Sequence, residues 1–395
     1  MSKSAITRTL FGMFCAAAVA AGVAVVPAGL AAQQPYHVIA KWKIGGASGW
    51  DYVHIDSATQ RLYVSHGQSV EILDAKTGKI LGTVGGLKGC HGIALDAAGK
   101  FGYISDGSGI VIFDTSTFAK VKTIPSQYGP DGIIFEPVTQ TVWSLNGHGN
   151  GANAIGIDTA TQEIVATVNP PHDNFEASTI DGKGHVFANV GGDIARIDAK
   201  TKQVDAVWTT GCQGASGLSY DREGDRIFQA CRGKKMFAVD AKTGKVLGSS
   251  EIGNGPDGAG FSDKFHLAFA STGGDGMITV VDANAPGYPV MEKIETEVGA
   301  RTMDYDPTTD RIYTITAERD PNVQIPTGPP GPPPQGAPGG QAGPGGPGGP
   351  GGPGAPAGPG GQAGPGGPGG PGGPGGAPRP SPYKPDTFHV VVVGR

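Results

Sequence analysis

The chain is short of cysteine, of clustered positive charge and of long apolar runs, and each shortage excludes a class of protein. Four cysteines among 395 residues cannot staple a disulfide scaffold. Thirty Lys and Arg face 35 Asp and Glu, for a formal net charge of −5. The basic residues form no cluster, so the stripe required of a nucleic-acid binder is missing. No HExxH, Walker loop or nucleophile elbow occurs, and a c-type haem would need CxxCH. No stretch shows sustained helical periodicity.

One apolar run, Leu10–Val26, stands out. Lys3 and Arg8 precede it, and Pro27 with the small residues of "AGLAAQQ" follows. That order predicts a secretory signal over residues 1–31, cut after Ala31. The alternative is retention as an anchor, since Leu10–Ala32 is long enough to span a bilayer. Cleavage leaves no other transmembrane segment and places the product in the periplasm or outside the cell.

What the chain has in abundance is repetition. The phrases "VEILDAKTGKILGTV", "IVIFDTSTFAKVKTI" and "MFAVDAKTGKVLGSS" belong to a series in which a short strand ends at Asp74, Asp114, Asp158, Asp198, Asp240 and Asp282. A second phrase ("RLYVSHG", "FGYISDG" and their kin) occurs seven times. A third ends at Asp56, Asp96, Glu136, Asp181, Asp221, Ser262 and Asp306. Four short strands in about 40–45 residues, seven times over, predict an all-β chain: a seven-bladed β-propeller of four-stranded blades. The seventh unit lacks its third strand until "FHVVVVG" at the chain's end, and its fourth until "YHVIAKWKIGG" at Tyr36–Gly46. The ring should therefore close by pairing an N-terminal strand with a C-terminal one in blade seven.

The "RLYVSHG" phrase at Arg61–Gly67 and the "DAKTGK" turns at Asp74–Lys79 and Asp240–Lys245 resemble the YVTN-type (YncE-like) family of seven-bladed propellers. The resemblance covers nearly all of the exported chain from Tyr36 and implies a binding scaffold.

The blades should occupy 36–325, with the closing strand in 383–395. Between them, 326–382 is a Gly/Pro tract that repeats "GGQAGPGGPGGPGGPG" at Gly339–Gly354 and Gly360–Gly375. It has nothing to bury. A disordered loop, grown by repeat slippage, is the plain reading; a contacting arm is the other.

The residue five before each first-strand end should reach the channel mouth: Asp51, His91, Asp131, Glu176, Ser216, Asp257 and Arg301. His66, Asp106 and Asn146, at the ends of second strands, should return to the same face, near His148 and His172. Such a ring suits a cationic ligand or a divalent cation, with Asn146, Glu176 and Asp257 as candidate metal ligands. It equally suits ordinary turn chemistry, because Asp beside Gly and Pro is common in turns. His54 and Asp304 share one position in adjoining blades and could pair. Cys212 and Cys231 should reach one face and bridge, leaving Cys90 a free thiol. Two functions remain open. One is a non-catalytic scaffold that binds a protein, peptide or small ligand and needs no cofactor. The other is a metal-dependent lactonase- or lyase-like enzyme.

Overall fold

The computed structural model describes residues 1, 34–46, 49–148, 151–323 and 381–395. The expected signal and nearly all of the Gly/Pro tract lie outside them. Contacts separate Met1–Gln34 from Pro35–Arg395, and the propeller is the second unit. Among the described residues there is no helix, and hence none long and apolar enough to cross a membrane.

Seven antiparallel sheets of four strands each form the ring. Six are simple meanders; the seventh has the order N-terminal strand (His37–Lys43), closing strand (His389–Gly394), Arg311–Thr316, Met303–Asp306. The closing strand is thus paired on both edges. Lys43 lies opposite His389 and His37 opposite Gly394 on one side, while Ile312 meets Val393 on the other.

Blade packing explains the run of four valines. Each blade buries both of its faces against neighbours, so its middle strands carry apolar residues on both faces instead of alternating. Val390 and Val392 join Trp50, Leu62 and Tyr313 on the blade-one side, and Val391 and Val393 join Tyr36, Phe269 and Tyr305 on the blade-six side. The seam between blades seven and one is further tied by polar bonds. The Tyr313 hydroxyl donates to the Ala75 carbonyl at 3.0 Å, and Gln60 Nε2 donates to Asp306 Oδ2 at 2.9 Å.

The strand-end aspartates organise turns. Asp74 Oδ1 accepts from the backbone N–H groups of Lys76 and Thr77 and from the Thr77 hydroxyl. Asp240 does the same with Lys242 and Thr243. The glycine that follows has two reasons to be glycine. Gly78 and Gly244 sit at φ +73° and +71°, and a Cβ would fall 2.2 Å from Trp42 Cγ and 2.0 Å from Trp208 Cγ respectively. Each tryptophan comes from the outermost strand of the preceding blade. In blades two and six the relation is inverted: aromatic Phe118 and Tyr288 occupy the left-handed turn position. They lie over Gly82 and Gly248 of the preceding outer strand.

Cys212 and Cys231 are joined by a disulfide across 19 positions of sequence. In the chain-entropy model a loop of this length contributes about 3 kcal/mol. Reduction should therefore lower the unfolding free energy by about that much in denaturant titration. Non-reducing peptide mapping should find Cys212 linked to Cys231 and Cys90 unlinked.

Candidate functional site

The innermost strands converge on the axis, and their first residues are set by a shared irregularity. In blades two to six the pairing of first and second strands skips where the ring residue sits: Cys90/Ile93, Pro130/Ile133, Phe175/Ser178, Ala215/Gly217 and Pro256/Gly258. His91, Asp131, Glu176, Ser216 and Asp257 are the residues inside these bulges. A bulge leaves a residue out of the ladder and re-aims its side chain, which is how one offset yields a ring.

Five of the seven ring residues form a continuous charged arc over adjacent blades. Asp131 Oδ1 is 3.7 Å from His91 Nδ1, and His91 Nδ1 is 2.6 Å from Asp51 Oδ2. Asp51 Oδ1 accepts from Arg301 Nη2 at 2.9 Å. Arg301 Nε then approaches Asp257 Oδ2 at 2.8 Å. That last contact is close in charge terms but poorly aligned, so the buried Nε–H lacks a true acceptor. The arc runs through blades three, two, one, seven and six. Glu176 completes the ring from blade four. Ser216, in blade five, turns its hydroxyl to the Pro256 carbonyl at 2.7 Å.

The carboxylates differ in character. Desolvation acts to raise Asp51, but the hydrogen bond to His91 and the charge of Arg301 outweigh it and hold the carboxyl below its ordinary range. Asp257 goes the other way: desolvation pushes it up to about 6, with Asp51 and Asp131 adding to the rise and Arg301 opposing it. Its side chain keeps 28% exposure, so crowding by protein rather than enclosure removes its water.

Tyr52 escaped the sequence reading. One position beyond the ring, the other blades carry Gly92, Gly132, Ala177, Gly217, Gly258 and Thr302, all small; blade one carries a tyrosine. Its hydroxyl reaches across to Gly132 of blade three, 3.8 Å from where a Cβ would sit. Burial, then Asp131, Asp51, Asp257 and Glu176, push that hydroxyl well above the ordinary tyrosine value. The signal was a single large residue in a column of small ones.

Second strands do not deliver their residues to the ring. His66 stacks on Phe388, with centroids 4.2 Å apart. Asp106 is fully buried and accepts from the Lys88 N–H at 2.6 Å and from Ser108. Asn146, also fully buried, spends its amide on Asn153 and Ser144. Among the described residues, Asp51, His91 and Asp131 bring ligand atoms within 4.8 Å of one another, as do His185, Asp198 and Asp205 of blade four. His172 faces Asp193 and Asp173 instead. The Cys90 thiol donates to the Ser69 carbonyl at 2.9 Å, and burial pushes it up to about 12, far from a reactive thiolate. His54 Nδ1 and Asp304 Oδ2 do meet, at 3.3 Å, inside the channel.

No family model matches the chain, and no curated protein does. Solved structures do. A chain of Kuenenia stuttgartiensis hydrazine synthase is similar with TM-score 0.60 and 16% identity, over 68% of this chain and 92% of that one. The U3-55K structure is similar at 0.61 and 10%, over 71% and 90%. The RRP9 WD40 repeats are similar at 0.62 and 10%, over 71% and 89%. At such identities the likeness concerns architecture alone: the chain is a seven-bladed β-propeller.

Proposed function

We propose that this is an exported, non-catalytic propeller of the YVTN type that binds a cationic group of a protein, peptide or small ligand at its channel mouth. The supporting observation is the arc itself. A guanidinium, that of Arg301, already rests between Asp51 and Asp257, and Asp131 and Glu176 leave the ring with more negative than positive charge. The likeness to the RRP9 WD40 repeats agrees with a scaffold role.

The test is the double substitution Asp131→Asn with Asp257→Asn. A tetra-arginine peptide titrated calorimetrically should bind the wild-type protein in low salt and the variant at least tenfold more weakly. The melting temperature should hold or rise, because raising a carboxyl from 3.8 to about 6 corresponds to about 3 kcal/mol against its ionised form at neutral pH. Equal binding by both proteins would refute the reading.

Asp51, His91 and Asp131 support a second reading. Together they offer two oxygens and a nitrogen to a divalent cation, as a metal-dependent lactonase- or lyase-like enzyme would need. A metal there would have to displace the proton that His91 shares with Asp51. Elemental analysis of the purified protein decides: a stoichiometric metal, lost in His91→Ala, favours the enzyme.

A further inference from the structure

Below the ring, the seven inner strands enclose a cavity of about 700 Å³. At one end it opens among the first turns of the blades, beside Ser57, Asp96, Arg222 and Pro307. At the other its walls stop at Tyr52 and Asp257. The remaining ring residues do not line it. Tyr52, lying across the axis, is the floor.

The wall has a definite chemistry. Each inner strand has one ladder neighbour, so its other edge offers unpaired backbone groups to the channel. One of these, the Ile55 N–H, donates to Asp304 Oδ2 at 2.9 Å. Asp304 Oδ1 accepts from the Tyr305 N–H at 2.8 Å. The carboxylate is therefore fixed, and it holds His54 at 3.3 Å with 33% of the imidazole side chain still exposed to the cavity. Leu95, Phe135, Ile180 and Phe261, from blades two, three, four and six, also line the cavity. The volume falls in the range of small-molecule sites, which are largely apolar with a few placed polar groups.

We infer that the channel interior is a second binding site, distinct from the ring, in which one uncharged, partly apolar small molecule places a hydrogen-bonding oxygen against His54. Entry is from the face opposite the ring. The charge around the cavity selects against anions: Asp304 stands beside the imidazole, Asp56 and Asp96 flank an opening where Arg222 is already paired with Asp263, and Asp257 lies at the closed end with Tyr52. A cation would have to shed its water against aliphatic walls. A neutral ligand meets neither obstacle.

The probe is 6-propionyl-2-dimethylaminonaphthalene, a neutral dye with one carbonyl oxygen whose emission shifts to the blue when water is removed. With the full chain it should give a saturable, one-to-one blue shift, and the His54 ring signal, identified by its loss in His54→Leu, should move in carbon–proton correlation spectra. Ser178→Trp, which fills the channel from blade four, should abolish the shift. His54→Leu should weaken binding about tenfold, the loss of one hydrogen bond of roughly 1.4 kcal/mol. Asp131→Asn, a change at a ring position that does not line the cavity, should bind the dye as the wild type does, which separates this site from the ring. If Ser178→Trp proves unfolded, the His54 signal and His54→Leu carry the test. No saturable shift in the wild-type protein, or a still His54 signal during titration, would overturn the inference. So would an equal shift in a folded Ser178→Trp, which would place the dye on exposed outer-strand residues such as Leu81, Val121 and Met291.

Discussion

Truncation after Thr387, removing Phe388–Arg395, should leave no cooperative thermal transition. Phe388 and Val390–Val393 are all fully buried. Burial of five such side chains stabilises by about 5–10 kcal/mol once a compact unfolded state is allowed for. That is of the same order as the whole stability of an ordinary fold. The truncation would also strip ladder partners from both His37–Lys43 and Arg311–Thr316, leaving two edges bare inside one blade. Excising Gly328–Pro380, more than six times as many residues, should leave the melting temperature unchanged or raise it. The stems of that connection are already zipped: Lys384 N–H donates to the Glu318 carbonyl at 2.7 Å and Asp320 N–H to the Pro382 carbonyl at 2.8 Å. Shortening a loop of this size recovers about 2 kcal/mol of closure entropy. Calorimetry on the two deletions decides. A truncated chain that melts like the intact one would show that blade seven does not depend on its third strand.

The second large effect is expected from Arg301→Met. Removing one partner from a buried charge network costs about 3–5 kcal/mol, because the charges left behind have lost compensation. The lower figure suits this ring, where Asp51 and Asp257 keep 17% and 28% exposure. The loss should depend on pH in a definite direction. Arg301 lowers both carboxyls, so its removal moves both upward, and Asp257 starts at about 6. A carboxyl whose folded value exceeds its unfolded one binds more protons in the folded state between the two. Stability therefore recovers as pH falls. Denaturant midpoints should show the largest deficit at pH 7 and above, shrinking towards pH 5. Adding Asp257→Asn should relieve part of the deficit at pH 7 and flatten its pH dependence. A deficit that grew on acidification would mean that Arg301 acts by packing and not by charge.

Much of this was legible from the chain alone because propeller blades are written in repeating phrases. The "FHVVVVG" run could be placed only as a third strand, and counting strands made Tyr36–Gly46 its partner. The ring was legible too, since one offset in seven blades picks out one position. Asp106 and Asn146 do return to the face of the ring, opposite Cys90 and Pro130, but like His66 they stand outside it for a geometric reason. They stand on second strands, about 4.8 Å further from the axis, where side chains enter the blade interfaces and not the channel. Sequence spacing gives height along the axis but not distance from it. Tyr52 failed differently: its meaning lies in six small residues on other blades. The matching of Trp42 to Gly78 and of Phe118 to Gly82 was equally hidden, because each partner belongs to a different repeat.

That matching has a consequence for how such a chain can be rearranged. Blades one, two, five and six each have a leading contact of one of two genders, a hollow or a knob. Blades one and five are both hollow on the turn side, at Gly78 and Gly244, and hollow on the outer strand, at Gly82 and Gly248. Blades two and six lead with a knob, Phe118 and Tyr288. Exchanging blade one with blade five keeps every knob against a hollow. Moving blade two into the fifth place sets Phe118 against Trp208, with no room for either. The seven units resemble one another as copies do, yet the ring can be shuffled only along the few permutations that its knobs and hollows permit.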